Sequence, residues 1–577
     1  MLEQTENEYI ENELMYLYEK IQNYSKLFPD VASKLRFSLN GSDDPHIQLM
    51  LESFAILTSK LQKQIDNSTY PITANILDNL HHSGNKPIPA QNIVKFELDE
   101  TQINTLVNGI KIPKNTIIYR KVETEFCKFI TETDLTFLPF EVKSVSTEKD
   151  LTNSKKINLT ITFNPLQGKQ KQINIDSIKF YLNAPKYSRS HFLDLLFDNN
   201  TEIYFKDKKR NIQNKISKNN VSLPYFKEYS ESFEYYKNFH DAVKIIRDFF
   251  SFKEKFYYIE IIHEEFKKIS GEFEIILAYE KNQEKEFSFK KNYILFNTVP
   301  IINLYKKTSE PLIFDEKKTQ YSVYSNYSLK NFETIFSINS VYYANKESEE
   351  ILPVSSFLPN EILSSTFYEV KRDLLNPSQL LFNFHQPINK SYNNTPVFCN
   401  LYVTNAKYAE KIYENDLFET DYACPVKKIY ALKNSSSFIG INTQNNLQWG
   451  LLNLYQTNSL PLFDEKYFLQ KIRNIIDLYG LNMPENYQET NAFFNSIKKF
   501  SINKKMINKS KRMIDGMIDS FEFNFTLDND NSKLDSFCIF GEFLLFIIKS
   551  YLPINNEATI IIKKENKIEQ FYRKSTI

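Results

Sequence analysis

The chain has 577 residues, and its 71 Lys plus Arg balance 71 Asp plus Glu, so no net field favours nucleic acid or anionic lipid. Ten glycines supply no Gly-rich phosphate cradle of either common type, which argues against nucleotide binding. The 48 Phe and 36 Tyr give far more burying capacity than a disordered chain carries, and the length suits roughly three or four cores.

Ile10, Leu14, Leu17, Ile21, Tyr24 and Phe28 step by four and three, predicting a first helix with a heptad seam of under three repeats. Such a seam needs a partner, either the next helix or another chain. Asp43 and Asp44 are capping residues, Pro45 suits the first turn, and Ile47, Met50, Phe54, Leu57 and Leu61 form one stripe of a second helix. Pro71 starts a third helix that Gly84, Pro87 and Pro89 stop.

From Ile93 the period falls toward two, predicting strands at 93–98, around Pro113 at 110–120, at 157–163 and at 177–183. Residues 206–220, dense in Lys and Asn, read as a loop. Residues 241–262 read as a short amphipathic helix passing into a strand. Strands follow at 273–279, 293–298 and 334–344. Between 385 and 440, Asn393, Asn394 and the run Asn434 to Ser437 mark loops. Helix resumes at 467–478, and the tail reads strand (521–528), helix (537–552), strand (558–564). No solenoid period is found.

No catalytic or metal constellation emerges. His81 and His82 point about 100° apart on a helix, and His46 beside Asp44 reads as a cap-region residue. Asp194, Asp198 and Glu202 lack the spacing and glycine of a calcium loop, and read as a solvated face. Phe249, Phe250, Phe252, Phe256, Tyr257 and Tyr258 could stack bases, but mixed charges around them favour core packing. Cys127, Cys399, Cys424 and Cys538 are scattered, pointing to reduced thiols in a reducing compartment. The N-terminus has no signal-peptide pattern, and the longest strongly apolar patch, 543–548, is far shorter than the ~20 residues that span a bilayer. A soluble cytoplasmic protein is expected.

Several segments, in order, resemble the TssF family of type VI secretion baseplate subunits. They are Asp43-Asp44-Pro45-His46 with the helices after it, Pro87-Ile88-Pro89 running into Ile93 to Phe96, and Cys127 to Val142. Asp248 to Phe256 resembles an aromatic element with Lys253 where proline is usual. Asn297 to Tyr305 resembles a Pro-Ile-x-Asn-Leu-Phe strand, and Trp449 to Leu454 a Trp before a leucine-rich helix. The strand, helix and strand of the tail complete a collinear match over residues 10 to about 565. Val403 to Lys407 departs from the family pattern, of which only Thr404 and Asn405 match, so the chain is a divergent member by this reading.

The fold class expected is α+β and multidomain: a helical N-terminus (1–85), a β-rich domain (86–190), a β-rich middle domain (191–360), a mixed loop-rich region (361–460) and an α/β C-terminal module (461–577). The resemblance implies a non-enzymatic wedge component, without cofactor or metal, of a baseplate docked at the cytoplasmic face of the bacterial inner membrane. Implied partners are a second copy of the chain, a TssG-like subunit, TssK- and TssE-like subunits and a VgrG-like spike hub. Leu14, Leu17, Ile21, Phe54, Leu57 and Leu61 are the candidate interface residues. The alternative is a large β-rich receptor- or carbohydrate-binding protein of a phage-like particle.

Overall fold

The computed structural model describes residues 2–38, 41–67, 76, 86–99, 111–149, 156–166, 175–227, 241–269, 271–280, 289–313, 318, 320–326, 332–343, 346–353, 366–372, 379–385, 396–440, 450, 464–480, 484–508, 517–528, 536–552, 556–564 and 570–575. The third predicted helix except Ile76, the histidine pair at 81 and 82, Asn393 with Asn394, and all of Trp449 to Leu454 except Gly450 lie outside these residues. The chain divides into two compact units, one of Met1–Asn85 with Asn442–Thr457, the other of Lys86–Ile441 with Asn458–Ile577.

In the first unit, α1 (Leu2–Leu27) lies against α2 (Pro45–Asn67). The expected cap is present: Asp44 Oδ1 accepts from the His46 amide at 2.9 Å, and the Gln48 amide donates to the Asp44 carbonyl at 2.9 Å. The turn before it needs Gly41, whose φ is +119° and where a Cβ would sit 2.3 Å from Gln48 Oε1. That same oxygen accepts from the Ser42 amide, and Gln48 Nε2 donates to the Tyr18 hydroxyl on α1 at 3.1 Å, so one glutamine fixes both the turn and the helix pair.

The second unit is built around a closed six-stranded barrel. Its strands run, in neighbour order, Thr298–Ile302, Gln91–Leu98, Val426–Ala431, Leu417–Thr420, Ile117–Val122 and Glu125–Thr131. Val94, Phe96, Ile118, Phe129, Val299 and Ile301 fill its interior. An antiparallel five-stranded sheet consists of Ile212–Ile216, Glu202–Asp207, Phe273–Glu280, Lys156–Pro165 and Phe140–Lys149. A larger sheet, centred on Thr334–Tyr343 and Pro396–Thr404, shares a core with Ile130 and Ile302 of the barrel. The C-terminal sheet pairs Ile497–Asn508, Met517–Leu527, Glu557–Lys564 and Gln570–Ser575, its middle pair parallel.

Among the described residues five longer helices accompany these sheets: α3 (Lys186–Phe197), α4 (Asp241–Ser251), α5 (Glu465–Gly480), α6 (Pro484–Asn495) and α7 (Phe537–Tyr551). Nearly every residue of α7 is buried, as an all-round apolar helix requires, and it touches α3, α4 and the last two strands. Its N-cap Ser536 accepts from the Cys538 amide at 3.2 Å and donates to Asp194 Oδ1 at 2.6 Å. Asp194 is therefore a helix-end anchor rather than part of a solvated face. Asp198 Oδ1 accepts from the Asn200 amide, and Glu202 takes Lys215 and Lys156, which hold its carboxyl down at about 2.

One loop expectation fails. Most of residues 206–220 form the hairpin between Glu202–Asp207 and Ile212–Ile216, because alternating Lys and Asn leave Ile203, Phe205 and Ile216 on the buried face. The 385–440 stretch carries three strands, Pro396–Thr404, Leu417–Thr420 and Val426–Ala431. The run Asn434 to Ser437 remains loop, and the Ser436 hydroxyl accepts from the Gln91 amide at 2.9 Å. Among the described residues no helix is long and apolar enough to cross a membrane.

The aromatic element at 249–258 packs as core. Phe249 stacks on Phe543 with ring centroids 4.1 Å apart, and all six of its aromatics are buried. Phe249→Ala is expected to cost ~3–5 kcal/mol by leaving a cavity between α4 and α7. Denaturant titration of the second unit's transition checks this, and Phe543→Ala should give a non-additive double variant because the rings share one contact.

Candidate functional site

The six candidate interface residues fall into two sets. On α1, Leu14 and Leu17 are half-buried and Ile21 is 8% exposed. On α2 the stripe faces outward: Phe54 is 54% exposed, Leu57 58% and Leu61 52%, with Met50 and Ile65 extending it. Among the described side chains of α2 the buried ones are Ala55 and Ser59 instead, with Leu51 and Thr58 half-buried beside them. Small residues let two backbones approach closely, so the packed face of α2 is its less apolar one. The apolar stripe is left to solvent in the single chain.

A second cluster gathers the sequence motifs. Strand Thr298–Ile302 is flanked by two asparagines that act as clamps. Asn297, at a φ of 56° that asparagine tolerates better than most residues, accepts from the Leu138 amide at 2.8 Å through Oδ1 and donates to the Leu138 carbonyl at 3.2 Å. Asn303 is fully buried: its Nδ2 donates to the Lys128 carbonyl at 2.7 Å and to Asn405 Oδ1 at 2.8 Å. Its Oδ1 accepts from the Thr404 hydroxyl and the Asn405 amide, both at 2.7 Å. Asn405 Oδ1 also takes the Lys128 amide, and its Nδ2 donates to the Tyr305 hydroxyl at 3.1 Å. Tyr305 donates in turn to Glu333, which Lys307 and Ser325 also bind. Burial and then the Glu333 charge push the Tyr305 phenol far above its ordinary range, so it stays a donor.

These contacts join segments 127–142 and 297–305, two of the stretches that carry the resemblance, to residues 404 and 405. Thr404 and Asn405, the two matches in the divergent loop, are thereby structural: they close the seam between barrel and large sheet. Ala406 follows them at a φ of 48°. At Lys253, where the resemblance has proline, the ammonium lies 2.9 Å from Glu489 on α6 and 5.0 Å from the Phe540 ring centroid. A helix contact replaces a backbone constraint there. His46 sits on the cap of α2 and is exposed.

The family model "Type VI secretion system, TssF" matches residues 2–575. The chain belongs to this family. A relative from Pseudomonas aeruginosa, type VI secretion system component TssF1, is 26% identical over 138 residues. That match covers 23% of this chain and spans 22% of the relative's length. Among solved structures, a chain of the type VI secretion system TssK-TssF-TssG baseplate subcomplex aligns with a TM-score of 0.71 at 16% identity, covering 91% of this chain and 98% of that one. A chain of the type VI secretion baseplate complex aligns with a TM-score of 0.61 at 14% identity, over 96% of each chain. At these identities the likeness establishes a shared fold, so the TssF architecture persists although little sequence does.

Sequence reading did not single out the charged residues buried beside the aromatic element. Arg189 reaches both oxygens of Glu254 at 2.9 Å and lies 3.5 Å from the Tyr257 ring centroid, while Asp248 and Lys255 are almost wholly buried. The available signal was charge interleaved with aromatics at 248–258, a pattern that a core strand or helix tolerates only when each charge has a partner.

Asn303→Ala leaves the Lys128 carbonyl and the Thr404 and Asn405 donors buried without partners. At ~1–3 kcal/mol for each stranded group, the loss is expected to reach ~3 kcal/mol or more. Urea denaturation of this TssF chain measures it, and a loss below that of a surface Asn→Ala control contradicts the clamp.

Proposed function

We propose that this TssF chain is a structural, non-catalytic subunit of a type VI secretion baseplate, and that the outward stripe of α2 is the surface by which it assembles. The observation that carries the reading is the stripe itself: Met50, Phe54, Leu57, Leu61 and Ile65 expose a continuous apolar face along one helix. Isolated apolar residues on a surface are ordinary, whereas a contiguous helical stripe marks a partner interface. The occupant we propose is a helix of a TssG-like subunit together with a second copy of this chain, since a solved relative is described in a TssK-TssF-TssG baseplate subcomplex. TssK- and TssE-like subunits and a VgrG-like spike hub complete the proposed setting, at the cytoplasmic face of the inner membrane.

The exposed positions make the test clean. Leu57→Glu and Leu61→Glu alter solvent-facing side chains, so the isolated chain should melt within about 0.5 kcal/mol of its normal stability. Co-expression with the TssG-like subunit followed by size-exclusion chromatography should show the complex lost in the double variant. A complex that elutes unchanged rules out this face. Leu17→Glu is a harsher change, because Leu17 is half-buried in the chain itself, and it should both weaken the helix pair and prevent assembly.

A further inference from the structure

One end of the five-stranded sheet carries a pocket of about 780 Å³, within the range of small-molecule sites. Its described walls are the loop 199–201 after α3, the start of strand Glu202–Asp207, the segment 215–218, and Lys156 with Glu280. The carboxyl end of α3 abuts this wall. The carbonyls of Leu196 and Asp198 accept from Lys218 Nζ at 2.9 and 2.6 Å, so an ammonium closes that helix end. The Asp198 carbonyl also accepts from the Thr201 amide at 3.2 Å, so Lys218 and Thr201 meet at one oxygen.

An ammonium has three N–H donors. These carbonyls use two, and among the described residues no carboxylate bonds Lys218. Thr201 is 1% exposed, and its hydroxyl has no hydrogen-bond partner among the described residues. A buried hydroxyl and a half-buried ammonium, each with capacity to spare, therefore stand together on the pocket wall. A cation gains little here, because Lys218 already occupies the two carbonyls it would seek. The carboxylates on the wall leave room for an anion: Glu202 is shared by Lys215 at 2.6 Å and Lys156 at 2.9 Å, and Glu280 is exposed to water. We propose that this pocket binds a small molecule bearing an oxyanion, a phosphate or a carboxylate, whose oxygens take the third Lys218 N–H and the Thr201 hydroxyl.

The electrostatics agree. Burial lowers the Lys218 ammonium to about 8, with the Asp198 charge opposing, as befits a cation short of a counter-charge that an oxyanion would supply. The site also has a structural reach. On the same helix, Asp194 accepts from the Ser536 hydroxyl that caps α7, so a ligand held at the end of α3 fastens an element already tied to the C-terminal module.

Isothermal titration calorimetry of the full chain, near neutral pH and at fixed ionic strength, tests the site. Sodium phosphate in one arm or sodium acetate in the other should bind saturably at a single site, and the tighter arm identifies the group. Lys218→Met should weaken that binding by ~tenfold or more, since a charge-assisted hydrogen bond is lost. Thr201→Val keeps nearly the same shape and leaves the lysine in place, so it serves if the lysine variant fails to fold; it should weaken binding by ~2–10-fold. No saturable heat in either arm, equal binding of sodium chloride (an adventitious ion only), or unchanged affinity in Thr201→Val overturns the proposal.

Discussion

The amide pair of Asn303 and Asn405 is the constraint on which the second unit depends. A barrel and a neighbouring sheet could share only an apolar seam, and an apolar seam tolerates sliding. Two fully buried asparagines do not. Each has donors and acceptors fixed in a plane, and together they bind the Lys128 peptide group, the Thr404 hydroxyl and the Tyr305 phenol. Mis-registering any of these strands by one residue strands several polar groups away from water, so the network selects a single docking. That also explains how a divergent TssF chain keeps the architecture: the amides can remain while the apolar residues around them drift.

Much of the fold was legible because it is local. The amphipathic helix at 241–251, the strands at 273–279 and 334–344 and the tail's strand, helix and strand each declare themselves by period and length. The hairpin inside 206–220 did not, since Lys and Asn on its outer face masked Phe205 and Ile216 on the inner one. Strand Ile497–Asn508 hid likewise behind Lys498, Lys499, Lys504 and Lys505, which protect an edge of the C-terminal sheet. What no period could disclose is which strands pair. The barrel draws on 91–98, 117–131, 298–302 and 417–431, and only tertiary contact links them.

The interface residues were half legible for the same reason. Periodicity placed Phe54, Leu57 and Leu61 on one stripe of α2, but it could not say which stripe packs at home. Ala55 and Ser59 win that contact by being small, and the larger side chains are left outside. The buried charges at 132, 248 and 255 were hidden more deeply. A lysine in an aromatic run looks like a surface residue until the chain brings a carboxylate from 123 positions away.

The barrel's closure has a consequence for how the protein is made. Strand Gln91–Leu98 lies between Thr298–Ile302 and Val426–Ala431, and Asn92 bonds the Lys433 carbonyl 341 positions later. At roughly 5–20 residues per second, a ribosome needs on the order of tens of seconds to supply that partner. Through that interval the first barrel strand is complete but lacks both neighbours until 298–302 is made and one of them until 426–431 is made, while the helices of residues 2–67 have already emerged with an apolar stripe exposed. Nascent-chain chaperones therefore have a defined period in which to act, and it is set by the order in which the strands are encoded.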